Sequence, residues 1–557
     1  LTTICHKSQL SIFEPSEVSV EIAKQLDCPL LTASILEMRG VSDVVKIEEA
    51  RTWLSPSLRS IITSIDLGNS AVKSKNLWSS IKNLGNVVVY GDYDVDGISS
   101  TVLAMEICNK AGAGQIRYFI PHRHEQGYGV HADILAGIIR SGCSSLIVVD
   151  CGSKNISMLS KAQQAGIDVF VFDHHLVGDE YVAPPFVVNP QVDGDNTAKN
   201  LCATAVLWTW AFLYSGLPKE WLMERLDLVA LATVADCMVL NGFNRSLINV
   251  GIDNIRRSLR PGLAKLIKKL DLDVSYITEE HLAMKVIPCL NAAGRLELAD
   301  PAVNLLSGLE PLSDYAGKLI ELNGKRKELS SLISRQVDEA MQKDQACHVL
   351  LGKDWPVGVL SGVASKVCNI RNKAVILAAP SKNGIRGTVR VPEGGDAIAV
   401  LESVSNYLKE WGGHKFAAGF SVGKEYWDVT RDMLEDYLNQ IETPEFSIEA
   451  IMFNPAGLNN TIWGDIEILA PFGQGNPMPY FYQPYGGDEK LIPLGKSGEH
   501  FKIVSRSYEL LAFNSAKIFT LHHAGTPLGW VYHPRLDVWR GKPRLQLIMD
   551  YMVLPNC

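Results

Sequence analysis

Residues 86–97 read NVVVYGDYDVDG, and the fold of the chain turns on them. Asn86–Tyr90 is a short run rich in β-branched residues, the composition of a strand buried on both faces. It stops at Gly91, and Asp92, Asp94 and Asp96 follow at alternate positions before Gly97. Carboxylates this close repel and raise one another's pKa. Acids crowded at a strand end therefore predict a counter-charge, and a pair of divalent cations is the natural one. On a straight strand the three would share a face. The flanking glycines predict a turn, which lets two of the acids reach different ions.

The pattern recurs downstream. Ser99–Lys110 reads as a helix, Ile116–Ile120 as a strand, Ala132–Ser141 as a helix and Leu146–Val149 as a strand. Ile156–Ala165 and Val169–Phe172 repeat the alternation. This spacing predicts βαβ units and a parallel sheet, whose ligands bind at the carboxyl ends of the strands. The first strand ends in the three acids, the third in Asp150 and the fourth in Asp173-His174-His175; Asp236 lies in the apolar stretch 230–240. One acid at a strand end commonly caps a helix; three such ends in succession point to a metal site. Oxygen donors with one or two imidazoles suit Mn²⁺ or Mg²⁺ better than Zn²⁺. Two such ions would clamp a phosphoryl group and activate water.

The 557 residues predict several domains. Residues 1–75 read as a helical lead-in, 76–255 as the α/β unit just described, and 256–345 as a helical region ending in a connector helix over 315–345. A second, smaller α/β unit spans 346–445, and 442–456, with Pro444 and Pro455, reads as a linker. Residues 456–557 hold short strands separated by Gly and Pro, the pattern of a small β-barrel or sandwich. The composition, 46% hydrophobic and 20% charged, is that of a globular protein, and no apolar run is long enough to predict a membrane span. The net charge of −8 does not advertise nucleic-acid binding, but leaves room for a local basic groove. The 11 cysteines form no CxxC pair and suggest reduced thiols in the cytoplasm. The N-terminus has no signal-peptide core and begins at Leu1 rather than Met, so a trimmed or partial sequence is expected.

GDYDVDG, with Asp173-His174-His175 about 80 residues on, resembles the DHH phosphoesterase superfamily. The ordered motifs Pro121-HRHEQGYG, Val148-VDCG, Thr233-VADCMVL, Asn291-AAGRLE, Gly412-GHKFAAG and Phe472-GQGNP narrow the resemblance to its RecJ-type exonucleases, almost end to end. The resemblance implies a Rossmann-like DHH domain, a smaller α/β DHHA1 domain and a C-terminal all-β OB-fold. It implies a bacterial or phage-encoded cytoplasmic enzyme of DNA repair and recombination. Such an enzyme degrades single-stranded DNA 5′→3′ to 5′-mononucleotides with two Mn²⁺ or Mg²⁺ ions. A monomer is expected, with a single-strand-binding protein and a RecQ-type helicase as partners by analogy.

By similarity, Asp94 and Asp96 would each ligate one cation and Asp150 would bridge the two. His174 and Asp236 would complete the second site, and Asp92 would ligate or support the first, where Tyr90 replaces a further histidine. His175 would hold the scissile phosphate. His122, Arg123 and His124 would contact phosphate, as would Arg295. Thr388 and Arg390, in a Gly-Thr-Val-Arg variant of a Gly-Ser-x-Arg pattern, would form a 5′-phosphate pocket with Gly412, Gly413 and His414. In the tail, Lys496, His500, Lys502, Arg506, Trp530, Tyr532, Trp539, Arg540, Lys542 and Arg544 supply charges and rings for a single strand; at strand spacing about half of the aromatics would be core, and no single ring is assigned to stacking. The basic run Arg256, Arg257, Arg260, Lys265, Lys268 and Lys269 reads as a solvated helix face. Cys151, where many relatives have Asn, and Cys237 are expected to be buried and inert. Two other readings are a nanoRNase or cyclic-dinucleotide phosphodiesterase, against which the long tail argues, and an inactive single-strand-binding subunit, against which the full acidic set argues.

Overall fold

The computed structural model describes residues 3–80, 84–123, 126–178, 180–343, 348–382, 384–392, 394–440, 447–495, 498–513, 515, 527–539 and 542–555. In the first α/β unit, β1 (Asn86–Tyr90), β2 (Gln115–Phe119), β3 (Ser145–Val149), β4 (Asp168–Phe172) and β5 (Val187–Val188) form a parallel sheet. Its order is β2-β1-β3-β4-β5. Helices α1 (Val95–Lys110), α2 (Ala132–Arg140) and α3 (Ile156–Gln164) connect the strands. The apolar runs are continuous because both faces are covered. Val87 and Val89 join one core with Val102 and Leu103 of α1, while Val88 and Tyr90 join another with Leu135 of α2 and Leu159 of α3. Helices α4 (Ala203–Tyr214) and α5 (Leu226–Ala235) complete the α1 side. Helix α1 starts at Val95, earlier than the expected Ser99, because Asp94 caps it: the Asp94 side chain accepts from the Gly97 N–H at 3.1 Å.

Helix α6 (Ile287–Leu296) carries the Asn291-AAGRLE motif, and α7 (Leu312–Lys343) is the expected connector. The two ends of α7 serve different cores. Ala316, Leu319 and Leu322 pack in the first unit, whereas Ile333, Val337 and Met341 pack on α8 (Val357–Arg371) of the second. The second unit's sheet runs β9-β10-β8-β7-β6, with β6 Val349–Leu351, β7 Val375–Ser381, β8 Gly384–Arg390, β9 Leu408–His414 and β10 Ala417–Val422.

The C-terminal strands, from Ile448–Met452 to Lys542–Leu554, build a nine-stranded sheet that also takes in Thr3–His6 and Leu10–Phe13. Ile22, Ile35 and Leu36 of the N-terminal helices share its core with Phe481, Trp530 and Tyr532. The stretch expected as a linker thus contains a strand, because Ile448, Ala450 and Ile451 are buried; residues 441–446 lie outside the described ones. Among the described residues no helix is long and apolar enough to cross a membrane.

The basic run 256–269 departs from its expected solvated face at Arg260. This guanidinium is buried, bonding Asp227 at 2.6 Å, Glu106 at 2.8 Å and the Leu306 carbonyl at 2.6 Å. Sequence periodicity did not show that two acids from α1 and α5 converge on it. Arg260→Ala leaves the buried Asp227 carboxylate without its counter-charge, and should cost about 3–5 kcal/mol. Urea unfolding followed by tryptophan fluorescence reads this as an earlier transition of the first unit.

Candidate active site

The loop after β1 is tightly packed. A Cβ at Gly97 would overlap the Asp92 carbonyl, and one at Gly294 of α6 would overlap the Tyr93 carbonyl, so only glycine allows these approaches. Asp94 stands at the α1 N-cap and Asp96, fully buried, in its first turn. The Asp96 carboxylate accepts from the backbone N–H groups of Ala203 and Thr204, at 2.7 and 2.8 Å, and from the Thr204 hydroxyl. The N-terminus of α4 thereby fixes it. Asp150 follows β3 in the left-handed region, with φ 59°, and its N–H donates to the Phe172 carbonyl. An Asp held there, next to a ligand-binding strand end, stores strain where it turns its carboxylate inward.

His174 Nε2 lies 3.4 Å from Asp150, 3.5 Å from Asp236 and 3.7 Å from Asp96. Three overlapping sets of donor atoms result, each within 4.8 Å: Asp92, Asp94 and Asp150; Asp96, His174 and Asp236; and Asp150, His174 and His175. Asp150 belongs to the first and third of them, and His174 to the second and third. One oxygen each of Asp92 and Asp150 is buried without a hydrogen-bond partner among the described residues. Burial, then Asp94, pushes the Asp92 pKa well up; burial, then Asp96 and Asp94, does the same to Asp150, and burial, then Asp96, to Asp236. Burial and His175 push His174 down, towards the neutral form that ligates metals. Orphaned, mutually repelling carboxylate oxygens with one neutral imidazole fit hard divalent cations.

Sequence reasoning missed the residues that aim these groups. Asp173 accepts from the N–H groups of Ser153, His174 and His175 at 3.0, 2.8 and 3.2 Å, and from His175 Nδ1 at 2.8 Å. It opens the Asp-His-His triplet, so the signal was present but read only for its histidines. Tyr128 Oη lies 3.0 Å from His175 Nδ1, Asn189 donates to the His175 carbonyl, and the Asn291 side chain accepts from the Val95 N–H. Asn189 and Thr204 carried no sequence signal, since only tertiary folding brings them to the triplet and to Asp96.

A cleft of about 350 Å³ separates the two α/β units, within the roughly 300–1,000 Å³ of ligand pockets. Asp94 and Asp236 line it from the first unit, Thr388, Arg390, Gly412 and Gly413 from the second, with Arg123 and Arg295 between. Arg295 donates to the Gly358 carbonyl at 3.2 Å and the Ser361 hydroxyl at 3.0 Å. Arg390 bonds Ser365 and the Thr388 hydroxyl, at 2.9 and 2.8 Å. The Arg123 guanidinium lies 4.8 Å over the Tyr93 ring. Burial, then Arg123 and Arg326, pushes Arg295 down to about 10; burial, and also Arg123, lowers Arg390. Guanidiniums gathered in a half-buried cleft suit an anion.

Other expected residues fall elsewhere. His122 and His414 do not line the cleft; His122 donates its N–H to Gln126, and burial, His175 and Lys154 lower His414, which puts it on the His175 side. Gly413, at φ 150°, is required by the hairpin, where a Cβ would strike the Ala417 carbonyl, while Gly412 has open space. His124, Lys496, Arg540 and the side chains of Trp539 and Lys542 lie outside the described residues. Trp530 and Tyr532 are fully buried and present no ring to a ligand. Lys502 pairs with Glu509 at 2.8 Å, and Arg506 and Arg544 reach Asp488 and Glu509 at 3.8 Å each. Cys151 is buried, with its thiol pushed well up by burial and then Asp92; Cys237 is exposed rather than buried.

Known proteins share this arrangement. Residues 86–233 match the DHH family, N-terminal domain, residues 343–442 the DHHA1 domain and residues 447–551 the RecJ OB domain. These three modules define a DHH-type protein with a second α/β unit and a C-terminal OB module, and the chain belongs to the RecJ family. The single-stranded-DNA-specific exonuclease RecJ of Bacillus subtilis (strain 168) is 28% identical over 98% of this chain and 71% of its own length. That of Thermus thermophilus is 31% identical over 77% of this chain and 63% of its own. The crystal structure of RecJ in complex with Mn²⁺ from Thermus thermophilus covers 99% of this chain and 80% of its own, with a TM-score of 0.81 at 24% identity, a likeness of fold.

The His175–Asp173 pair makes stability pH-dependent. Burial opposes protonation of His175, but the hydrogen bond and charge of Asp173 outweigh it and raise its pKa. A raised folded value means the stabilisation is complete below the ordinary histidine value, about pH 6.5, and is lost as pH rises through the folded value. Thermal melts in EDTA should show the wild type's advantage over His175→Gln to be largest near about pH 6 and smaller by about pH 9. An advantage that does not change with pH would refute this coupling.

Proposed function

We infer that this chain is a divalent-cation-dependent exonuclease that degrades single-stranded DNA from its 5′ end. The observation that carries this reading is the cleft itself: the carboxylates of Asp94 and Asp236 and the guanidiniums of Arg123, Arg295 and Arg390 line one gap. Asp92, Asp94 and Asp150 would hold one cation and Asp96, His174 and Asp236 a second, with Asp150 shared. Bound there, such cations supply charge neutralisation and a water activated for attack on phosphorus.

The chain's own residues supply the rest. Asp173 raises the pKa of His175 and orients its ring, so that His175 would donate to a phosphate oxygen. Arg295 and Arg123 would neutralise and orient the scissile region, as a planar fork does best. Thr388, Arg390 and the open Gly412 would receive the terminal phosphate, and their fixed distance from the carboxylates would confine cleavage to the end of the strand. Residues 447–551, with Lys502, Arg506 and Arg544 at the surface, would bind the remainder of the strand; this module separates the reading from that of a dinucleotide phosphodiesterase. Free thiols among the described cysteines fit a reducing cytoplasm. A helicase or single-strand-binding protein that exposes 5′ ends would be its partner in repair and recombination.

Single-stranded oligonucleotides labelled at either end, incubated with Mn²⁺ or Mg²⁺, test this. The 5′ label should appear at once as mononucleotide while the 3′-labelled strand shortens stepwise, and duplex should resist. Loss of an outer-shell partner costs about 10–100-fold, so Asp150→Asn should cost more than about a hundredfold in cleavage while single-strand binding persists. Stepwise loss from the 3′ end, or no loss, would overturn the reading.

A further inference from the structure

Two arginines carry hydrogen bonds across the cleft. Arg295 belongs to the anion-facing set, but the other, Arg386, does not line the cleft. Arg386 Nη1 donates to the Arg123 carbonyl at 3.3 Å. Its guanidinium lies against Gly127, where a Cβ would stand only 3.0 Å from Nη2 and where φ is 87°. The absence of a side chain there leaves room for the flat group. The described ends of the loop it reaches are tied together, because the N–H groups of Gln126 and Gly127 both donate to the His122 carbonyl, at 2.9 and 3.3 Å. Beyond it, the Arg123 side chain covers the Tyr93 ring, inside the loop that bears Asp92 and Asp94. At its other end, Arg386 shares a face of β8 with Thr388 and Arg390, since side chains alternate along a strand.

A continuous chain of contacts therefore runs from the strand that carries the anion-facing Thr388 and Arg390 to the loop that carries the carboxylates. We propose that Arg386 is a positioning residue: it latches the second unit's sheet to the mouth of the cleft and so sets how far from a strand's terminus cleavage falls. The proposal rests on the reading of the cleft as a single-strand exonuclease site. With the latch closed, a terminal phosphate held at Thr388 and Arg390 places the first phosphodiester at the carboxylates. With it open, β8 can retreat, and the second or third linkage can reach the same place.

The test uses the full chain with Mn²⁺ and a 5′-phosphorylated, 3′-labelled single strand. A chromogenic nitrophenyl ester of thymidine 5′-monophosphate, whose cleavage needs the carboxylates but not the spacing, serves as control. For Arg386→Ala we expect KM for the oligonucleotide to rise about tenfold, the loss of one charge-assisted hydrogen bond. First products should shift from mononucleotides to a mixture with di- and trinucleotides, while ester hydrolysis and the melting temperature stay at wild-type values. Arg386→Lys, which retains a donor and the charge, should restore mononucleotide products. Mononucleotides alone at an unchanged KM from Arg386→Ala would overturn the latch, as would a parallel fall in ester hydrolysis. Should Arg386→Ala fail to fold, Arg386→Lys decides, since a folded Lys variant with mixed products would also contradict the proposal. Failure of the wild type to shorten the strand would instead overturn the exonuclease reading, so the two failures are distinguishable.

Discussion

Asp92, Asp96 and Asp150 are buried within reach of Asp94 and Asp236, and this repulsion is the constraint on which the rest of the architecture depends. A lone fold could relieve it by protonation, and burial with neighbouring charge does push Asp92, Asp150 and Asp236 towards the protonated state. The protein nevertheless holds the cluster's side chains in place. The α4 N-terminus donates to Asp96, the Asp173 carboxylate orders both histidines, and the left-handed turn at Asp150 directs its side chain inward. Such effort is physically sensible only if an external positive charge completes the cluster.

The other side of the cleft gathers positive charge. Arg295 on α6 and Arg390 of the second unit, both lowered by burial and by the Arg123 charge, line the same gap as the acids. On the proposed reading, a phosphodiester near its terminus would satisfy both sides at once, with its anionic oxygens shared between the two charge sets. Helix α7 makes this geometry possible, because one end is built into the core of the first unit and the other into the core of the second. The units can therefore differ in sequence character and still present a fixed gap.

Much of this was legible from the residues. The parallel sheet followed from apolar runs at regular spacing, and the acids marked the strand ends because ligands collect there. The long connector helix was also visible. What was not legible came from contacts distant in sequence. The strands Thr3–His6 and Leu10–Phe13 join a sheet formed by the other end of the chain, and no local pattern announces that. Arg260 looked like a surface cation until Asp227 and Glu106 converged on it, and Trp530 and Tyr532, open between stacking and core on the sequence, prove to be core. At the site, the motif residues could be named from sequence, but Thr204 and Asn189, which orient them, are ordinary residue types in unremarkable contexts, and Tyr128, inside a motif, gave no sign of its His175 partner.

The central claim is that one carboxylate cluster accommodates two cations with Asp150 common to both. Calorimetric titration of the metal-free chain with Mn²⁺ tests it most directly. The account predicts two ions per chain in the wild type, one in Asp236→Asn, and a severe weakening of both in Asp150→Asn. A single ion in the wild type, or an Asp150→Asn variant that still binds two with unchanged affinity, would contradict it.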